Sequence, residues 1–271
     1  MTQTIPQPLA ALPLLQPKDE QRARALALEA AVEDRLATRT QRFRCGTALF
    51  HEDLPRAGSL NVLRVDAGVE PLDPHALIQF TDELQRGLPQ RSVRVVDDHR
   101  AAQLRPAFAS AGWVVGSMSL MAQRRRPDRR VDVSGVHELD LEDLRRAREY
   151  TLGRAHRDLD SADQMLVVGG LPAEGMQIRA FAATVANEVA AYAVARVWGE
   201  VAKLTELDAL ERAHGQGLGR AVIWGAVKAL RADGVRLVAV EAEDDWVRWI
   251  FLRLGFEAVG YTHRFVRPWG N

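Results

Sequence analysis

The run Leu207-Asp208-Ala209-Leu210-Glu211-Arg212-Ala213-His214-Gly215-Gln216-Gly217-Leu218-Gly219-Arg220 decides how this chain is read. Residues 201–207 before it are expected as a strand, and residues 219–233 after it place Val222, Ile223, Ala226, Val227 and Leu230 on one helical face. A strand that ends in a glycine-rich turn opening a helix aims several backbone N–H groups at one point, with the positive end of the helix dipole behind them. That point suits a phosphate. Gly215, Gly217 and Gly219 let the backbone approach a diphosphate without a Cβ in the way, and Arg220 adds a cation. No Gly-Lys-Ser/Thr follows, so this is not a Walker loop. The preceding strands read as an antiparallel meander, which disfavours a dinucleotide-binding βαβ unit.

Working upstream, residues 177–185 and 189–198 are two β-rich runs joined by the polar turn Ala186-Asn187-Glu188, a hairpin signature. Residues 136–139 predict a short strand. A helix opens near Asp140, with Leu141, Leu144, Ala147 and Tyr150 at helical spacing, and Gly169-Gly170 and Pro172 interrupt the pattern. Downstream, residues 235–242 predict a buried strand. A helix over 246–254 stops at Gly255, and residues 256–266 have room for two final strands.

The front of the chain repeats this ending: a strand at 93–97, a helix at 101–111, Gly112-Trp113, and a strand at 114–121. Phe108, Gly112 and Trp113 match Phe251, Gly255 and Phe256 at one common offset, which points to an internal duplication. Farther forward, residues 61–65 predict a strand and 74–85 a helix with Leu77, Ile78, Thr81 and Leu84 on one face. No Gly-x-Gly lies between them. The charged stretch Arg124-Arg125-Arg126-Pro127-Asp128-Arg129-Arg130 reads as a solvated linker. The expected division is an irregular arm over 1–17, a front domain over 18–123, the linker 124–130, and a second domain over 131–271.

Bulk composition narrows the partners. The 271 residues suit two domains, and 47% hydrophobic with 27% charged residues is ordinary globular composition. Thirty-six Lys plus Arg balance 36 Asp plus Glu, so no global field argues for nucleic acid or an anionic membrane. The lone cysteine, Cys45, points to a reducing cytoplasm. The start lacks a signal-peptide pattern, and no apolar run is long enough to span a bilayer. The scattered histidines form no metal-binding spacing.

With the loop, the following helix and strand, and Phe251-Leu252-Arg253-Leu254-Gly255-Phe256 in order, the second half resembles the acetyl-CoA-binding core of the GNAT N-acetyltransferases. The resemblance implies a mixed α/β fold, a mostly antiparallel sheet flanked by helices, in two tandem copies of which only the second keeps the cofactor loop. It implies that the diphosphate of acetyl-CoA rests on the backbone of His214, Gly215, Gln216, Gly217, Leu218 and Gly219, with Arg220 beside it. The pantetheine arm would lie along Leu207-Asp208-Ala209, between that strand and residues 237–241. His214 stands where the family has Gln or Arg, Asp244 where it often has Asn, and Phe251 where many members have a tyrosine that protonates the departing thiolate. A thiol with a pKa of about 8.5 can leave without that acid, and Tyr261 or a water is the alternative proton source.

An alkyl ammonium must lose its proton before it attacks a thioester, so a carboxylate or His is needed near the cleft. Glu206 and Asp208 share one face of their strand by alternation, and Glu241 and Glu243 share one face of theirs. Glu206 and Glu241 are the leading candidates for the base. His156 lies in the region that covers the substrate in the family and reads as a surface residue, while Trp246 and Trp249 read as packing or interface. The function expected is acetyl transfer by direct attack of a primary amine of a small molecule or peptide, with no nucleic-acid or membrane partner. The front half would wall the acceptor site or form a homodimer surface. The alternative is a non-catalytic acyl-CoA-binding regulator or scaffold.

Overall fold

The computed structural model describes residues 16–66, 73–155, 159–211 and 215–268. The front half holds α1 (Lys18–Leu36), β1 (Arg39–Phe43), β2 (Gly46–Phe50), β3 (Val62–Val65), α2 (Pro74–Leu84), β4 (Gln90–Val95), α3 (Asp98–Ser110) and β5 (Val114–Gln123). The second half holds β6 (Val136–Leu139), a 3-10 turn (Leu141–Leu144), α4 (Arg145–Ala155), α5 (Leu159–Gly170), β7 (Gln177–Val185), β8 (Glu188–Trp198), β9 (Val201–Ala209), α6 (Leu218–Ala232), β10 (Leu237–Ala242), α7 (Asp245–Arg253) and β11 (Phe256–Pro268).

All the strands among the described residues join one 11-stranded sheet in the order β1-β2-β3-β4-β11-β5-β10-β9-β8-β7-β6. Pairs β3–β4 and β9–β10 are parallel, and the other neighbours are antiparallel. The central order β3-β4-β11-β5-β10-β9 is a palindrome in kind. Each half contributes a parallel pair and then lends its last strand to the other: β11 lies between β4 and β5, and β5 between β11 and β10. The connector 124–130 separates the halves in sequence, but the sheet runs through without a break.

The duplication is visible in detail. Asp97 caps α3 by accepting from Arg100 N–H, and Asp244 caps α7 by accepting from Val247 N–H, both at 2.7 Å. Phe108 meets Trp113 edge-on at 5.0 Å, and Phe251 meets Phe256 edge-on at 5.3 Å. Between the members of each pair lies a left-handed glycine, Gly112 at φ 78° and Gly255 at φ 88°, where a side chain would be strained.

Helices cover both faces. On one, α6 buries Ala221, Val222, Ile223, Ala226, Val227 and Leu230 against β8, β9 and β10 in a cluster that includes Phe251 and Phe256, and α2 and α3 pack similarly over Val93, Val95 and Phe265. Each large aliphatic side chain so placed contributes roughly 1.5–3 kcal/mol. The opposite face carries α1 over Leu120, Val201, Leu237 and Ala239, with α4 and α5 beside it.

Two expectations need revising, and one helix lies where the sequence predicts no element. Residues 256–266 do not form two strands: β11 is one 13-residue strand with a bulge between Ala258 and Gly260, long enough to pair with both β4 and β5. The segment after Gly153 lacks clear periodicity, yet it contains α5, whose Met165 and Val168 pack on Leu36, Leu54 and Leu60 of the front half. The arginine-rich connector is exposed for most of its length but tied at intervals. Arg124 and Arg125 donate their backbone N–H groups to Gly255 O, and Asp128 pairs with Arg220 and Arg253.

Candidate functional site

The parallel pairing of β9 and β10 runs from Val201–Leu237 to Leu204–Val240 and then stops, although β9 continues to Ala209. The strands diverge, and the β9 edge over Thr205 to Asp208 has no strand partner on that side. A bulge against β8 puts Val194 opposite Glu206 and Ala195 opposite Leu204, so Thr205 is the extra residue. The bulge shifts the alternation by one. Lys203, Glu206 and Asp208 consequently all project toward the face of α1 and α4, while Leu204, Leu207 and Ala209 point to the α6 side.

On the α6 side, the first hydrogen bond of the helix runs from Ala221 N–H to Gly217 O, which leaves the amides of its first turn without intrahelical acceptors. Gly217 occupies the N-cap at φ 76° and supplies no side-chain cap. Gly215 is also left-handed, at φ 75°, and the space where a Cβ would stand is open at both glycines. A diphosphate fits there. At Gly219 a Cβ would stand 3.3 Å from Ala209 Cβ, which reflects how closely the helix approaches β9. Arg220 projects from this turn toward Asp128, its partner at 3.3 Å. His214 lies outside the described residues, as does His156.

On the opposite face, the divergence of β9 and β10 opens into a cavity of about 560 Å³. Its walls come from both halves: Leu28, Glu29 and Leu60 from the front, Met165 and Val168 of α5, Thr205 to Leu207, and Glu241, Glu243 and Asp244 after the split. Phe251 lines it too, buried and without a hydroxyl. Asp244 lines it while capping α7, the local role that an Asp just before a helix performs. Tyr261 is exposed on β11 and is not a lining residue.

The four candidate carboxylates meet different fates. Glu206 receives both N–H groups of one edge of Arg148, at 2.7 and 2.8 Å, and Asp208 accepts from Thr151 Oγ1 at 2.5 Å; both partners sit on α4. Glu241 accepts from Lys203 Nζ at 2.9 Å and, across β5, from Thr262 Oγ1 at 2.6 Å. Glu243 is exposed at the end of β10 and makes no hydrogen bond or ion pair among the described residues.

Beneath α1 the cavity floor is a charge network that sequence reading missed. Arg94 lies within 2.7 Å of Glu29 and 2.8 Å of Glu33, and Lys203 bridges Glu29 and Glu241. Burial alone would raise the Glu29 carboxyl, but Arg94, Lys203 and Arg264 outweigh it and hold it at about 2. Lys203 is likewise raised against its burial by Glu29 and Glu241. For Glu33, burial wins over Arg94 and the carboxyl is raised. Arg148, Lys203 and Arg264 had only one signal in the sequence, a cation inside an otherwise apolar or alternating run.

Trp246 and Trp249 stack on each other at 5.4 Å on the exposed side of α7, and Arg253 lies over Trp249, 5.2 Å from its ring centre. Cys45 is buried, and among the described residues no helix is long and apolar enough to cross a membrane.

No family model matches the sequence, and no curated protein is similar to it by sequence. Solved structures do match. A GCN5-related N-acetyltransferase from Kribbella flavida superposes with a TM-score of 0.63 at 19% identity, covering 92% of this chain and 96% of that one. A functionally unknown conserved protein from Staphylococcus epidermidis gives 0.66 at 14% identity, covering 86% and 94%. A tandem GNAT protein from the clavulanic acid biosynthesis pathway gives 0.54 at 16% identity, covering 93% and 96%. At these identities the likeness is one of fold. With its diverging β9 and β10, its glycine-led α6 and its repeated halves, the chain has the tandem GNAT fold of the GCN5-related N-acetyltransferases.

Proposed function

We propose that the protein moves an acetyl group from acetyl-CoA to an amine. The observation that carries this reading is the alignment of three features: the uncapped glycine turn before α6, the split between β9 and β10, and the cavity on the far side of the split. Acetyl-CoA, as co-substrate, supplies the activated acyl group. The chain's part is to hold the diphosphate on the amides of Gly215 to Arg220, to seat the arm against Leu207, Asp208 and Ala209, and to exclude water with Phe251, Met165 and Val168.

The amine arrives protonated and must give up that proton. Glu206 and Glu241 are both held by cations, which fits them to positioning α4 and Lys203. Glu243, whose oxygens no described side chain occupies, takes the proton. No tyrosine is among the described residues that line the cavity. A thiol leaves readily enough, with a pKa of about 8.5, that the thiolate needs no side-chain acid. The front half, through α1 and the loop before β3, closes the acceptor side.

The non-catalytic reading is favoured by one observation, that both Glu206 and Glu241 are tied up in ion pairs. One experiment separates the two. Acetyl-CoA is titrated calorimetrically into the wild type and into a Gly217→Glu/Gly219→Glu variant, and thiol release is then followed with a panel of amines. Binding abolished in the variant, with amine-dependent thiol release by the wild type, is the expected result. Binding without release from any amine would favour the regulator, and no binding at all would overturn both.

A further inference from the structure

Resting on the acyltransferase reading, we propose that the acceptor is an amino acid whose carboxylate is received by Arg264. The cavity is lined by many charges, and nearly all are already matched. Lys203 is shared by Glu29 and Glu241, Glu206 is clasped by Arg148, and Arg196 is spent on the carbonyls of Leu171 and Val168 at 3.0 and 2.7 Å. Two charged groups on its wall have no such partner. Arg264 makes no hydrogen bond or ion pair among the described residues, and neither does Glu243.

Arg264 is not left over by accident of a loop. It sits in mid-strand on β11, half-buried, opposite Arg94 on β4 and Gly116 on β5. Arg94 pairs with Glu29 and Glu33, so α1 places carboxylates in direct contact with one of two adjacent guanidinium groups, whereas Arg264 feels Glu29 only at longer range. On the other side a Cβ at Gly116 would meet nothing within 4 Å, so there is open room beside the cation. A half-buried guanidinium next to another guanidinium is unfavourable until an anion joins it. Its planar fork matches a carboxylate.

The charge of the cavity chooses among anions. With Glu29, Glu241, Glu243 and Asp244 on its wall, a single unmatched cation balances a monoanion and leaves a phosphate dianion repelled. The unmatched anion, Glu243, follows β10 just beyond the point where its pairing with β9 stops. A molecule with an ammonium at one end and a carboxylate at the other satisfies both orphans together.

The test uses the full-length protein with a panel of L-amino acids, their C-terminal carboxamides, and O-phosphoethanolamine, measured two ways: thermal stabilisation by each compound, and thiol release with acetyl-CoA. Free acids should stabilise and react, while carboxamides should be weaker by roughly 10- to 100-fold, the range expected on losing a charge-assisted contact. Arg264→Gln should erase the difference between acid and amide without changing acetyl-CoA affinity or the far-UV spectrum, and Arg264→Lys should restore part of it. Carboxamides as good as acids, a preference for the phosphate, no response to any free acid, or an unchanged acid preference in Arg264→Gln would each overturn the proposal. Stabilisation by free acids in a protein that binds no acetyl-CoA would keep the carboxylate site at Arg264 but sink the acyltransferase reading and, with it, the role of acceptor.

Discussion

Arg148 and Glu206 form a two-pronged ion pair, 2.7 and 2.8 Å, in which the arginine side chain is only 4% exposed. This contact ties α4 to the strand whose divergence makes the cleft, so its first effect is on stability. Glu206→Ala, which strands a buried cation, should cost about 3–5 kcal/mol, whereas the paired replacement Arg148→Met/Glu206→Leu should cost much less. Urea denaturation of the three proteins measures it. Equal losses in the single and double variants would mean the pair is not coupled.

Glu243 and Glu206 are told apart by kinetics. Glu243→Gln should lower kcat with the preferred amine by about 10²–10⁴ while leaving acetyl-CoA affinity intact. Raising the pH should recover part of that loss, because an acceptor already deprotonated in solution needs no base. A variant as active as the wild type at neutral pH would remove Glu243 from the reaction.

The network under α1 makes stability depend on acid. Held at about 2 from an ordinary 4.5, Glu29 contributes stability that is present above 4.5 and lost as pH falls toward 2. The amount is on the order of 3 kcal/mol. Glu33, raised rather than lowered, acts in the opposite sense and loses its contribution as pH rises through its own titration. Glu29→Gln should therefore be less stable than wild type at neutral pH, with the gap closing between pH 4.5 and 2 in denaturant titrations. Parallel curves would show that the carboxylate does not titrate with folding.

Gly112 and Gly255 share a backbone conformation and a place in the repeat, but their surroundings differ. A Cβ on Gly112 would meet nothing, so Gly112→Ala should cost only the left-handed strain of about 1–2 kcal/mol. A Cβ on Gly255 would stand 1.9 Å from Arg125 O, so Gly255→Ala should be clearly worse and should loosen the connector. Thermal melts of the two variants give the comparison; equal shifts would mean that the connector yields freely.

Much of this architecture is legible in the chain itself, because α6, β10 and the glycine turn obey simple periodicity and capping rules. The repeat, too, is readable from Phe108-to-Trp113 and Phe251-to-Phe256, since the aromatic pair and its glycine form one local device. Other features are hidden for physical reasons. The buried face of α1 includes Gln21 and Glu33 as well as Ala25 and Leu28, so its stripe does not look apolar. The bulge at Thr205 leaves no mark in the composition of β9, yet it fixes which side chains share the cavity. Charge pairing is a long-range property: nothing near Glu206 in sequence announces Arg148, and nothing near Arg264 announces that α1 serves Arg94 instead.

The placement of β11 has a consequence for the order of assembly. Every other strand precedes it in the chain, and without it the sheet is two pieces, β1 to β4 and β5 to β10, with no ladder between them. The strand that welds these pieces together also brings Arg264 to the cavity and Thr262 to Glu241. A nascent chain therefore lacks the complete cavity wall until β11 is seated, so joining the two pieces and closing the cavity are a single event.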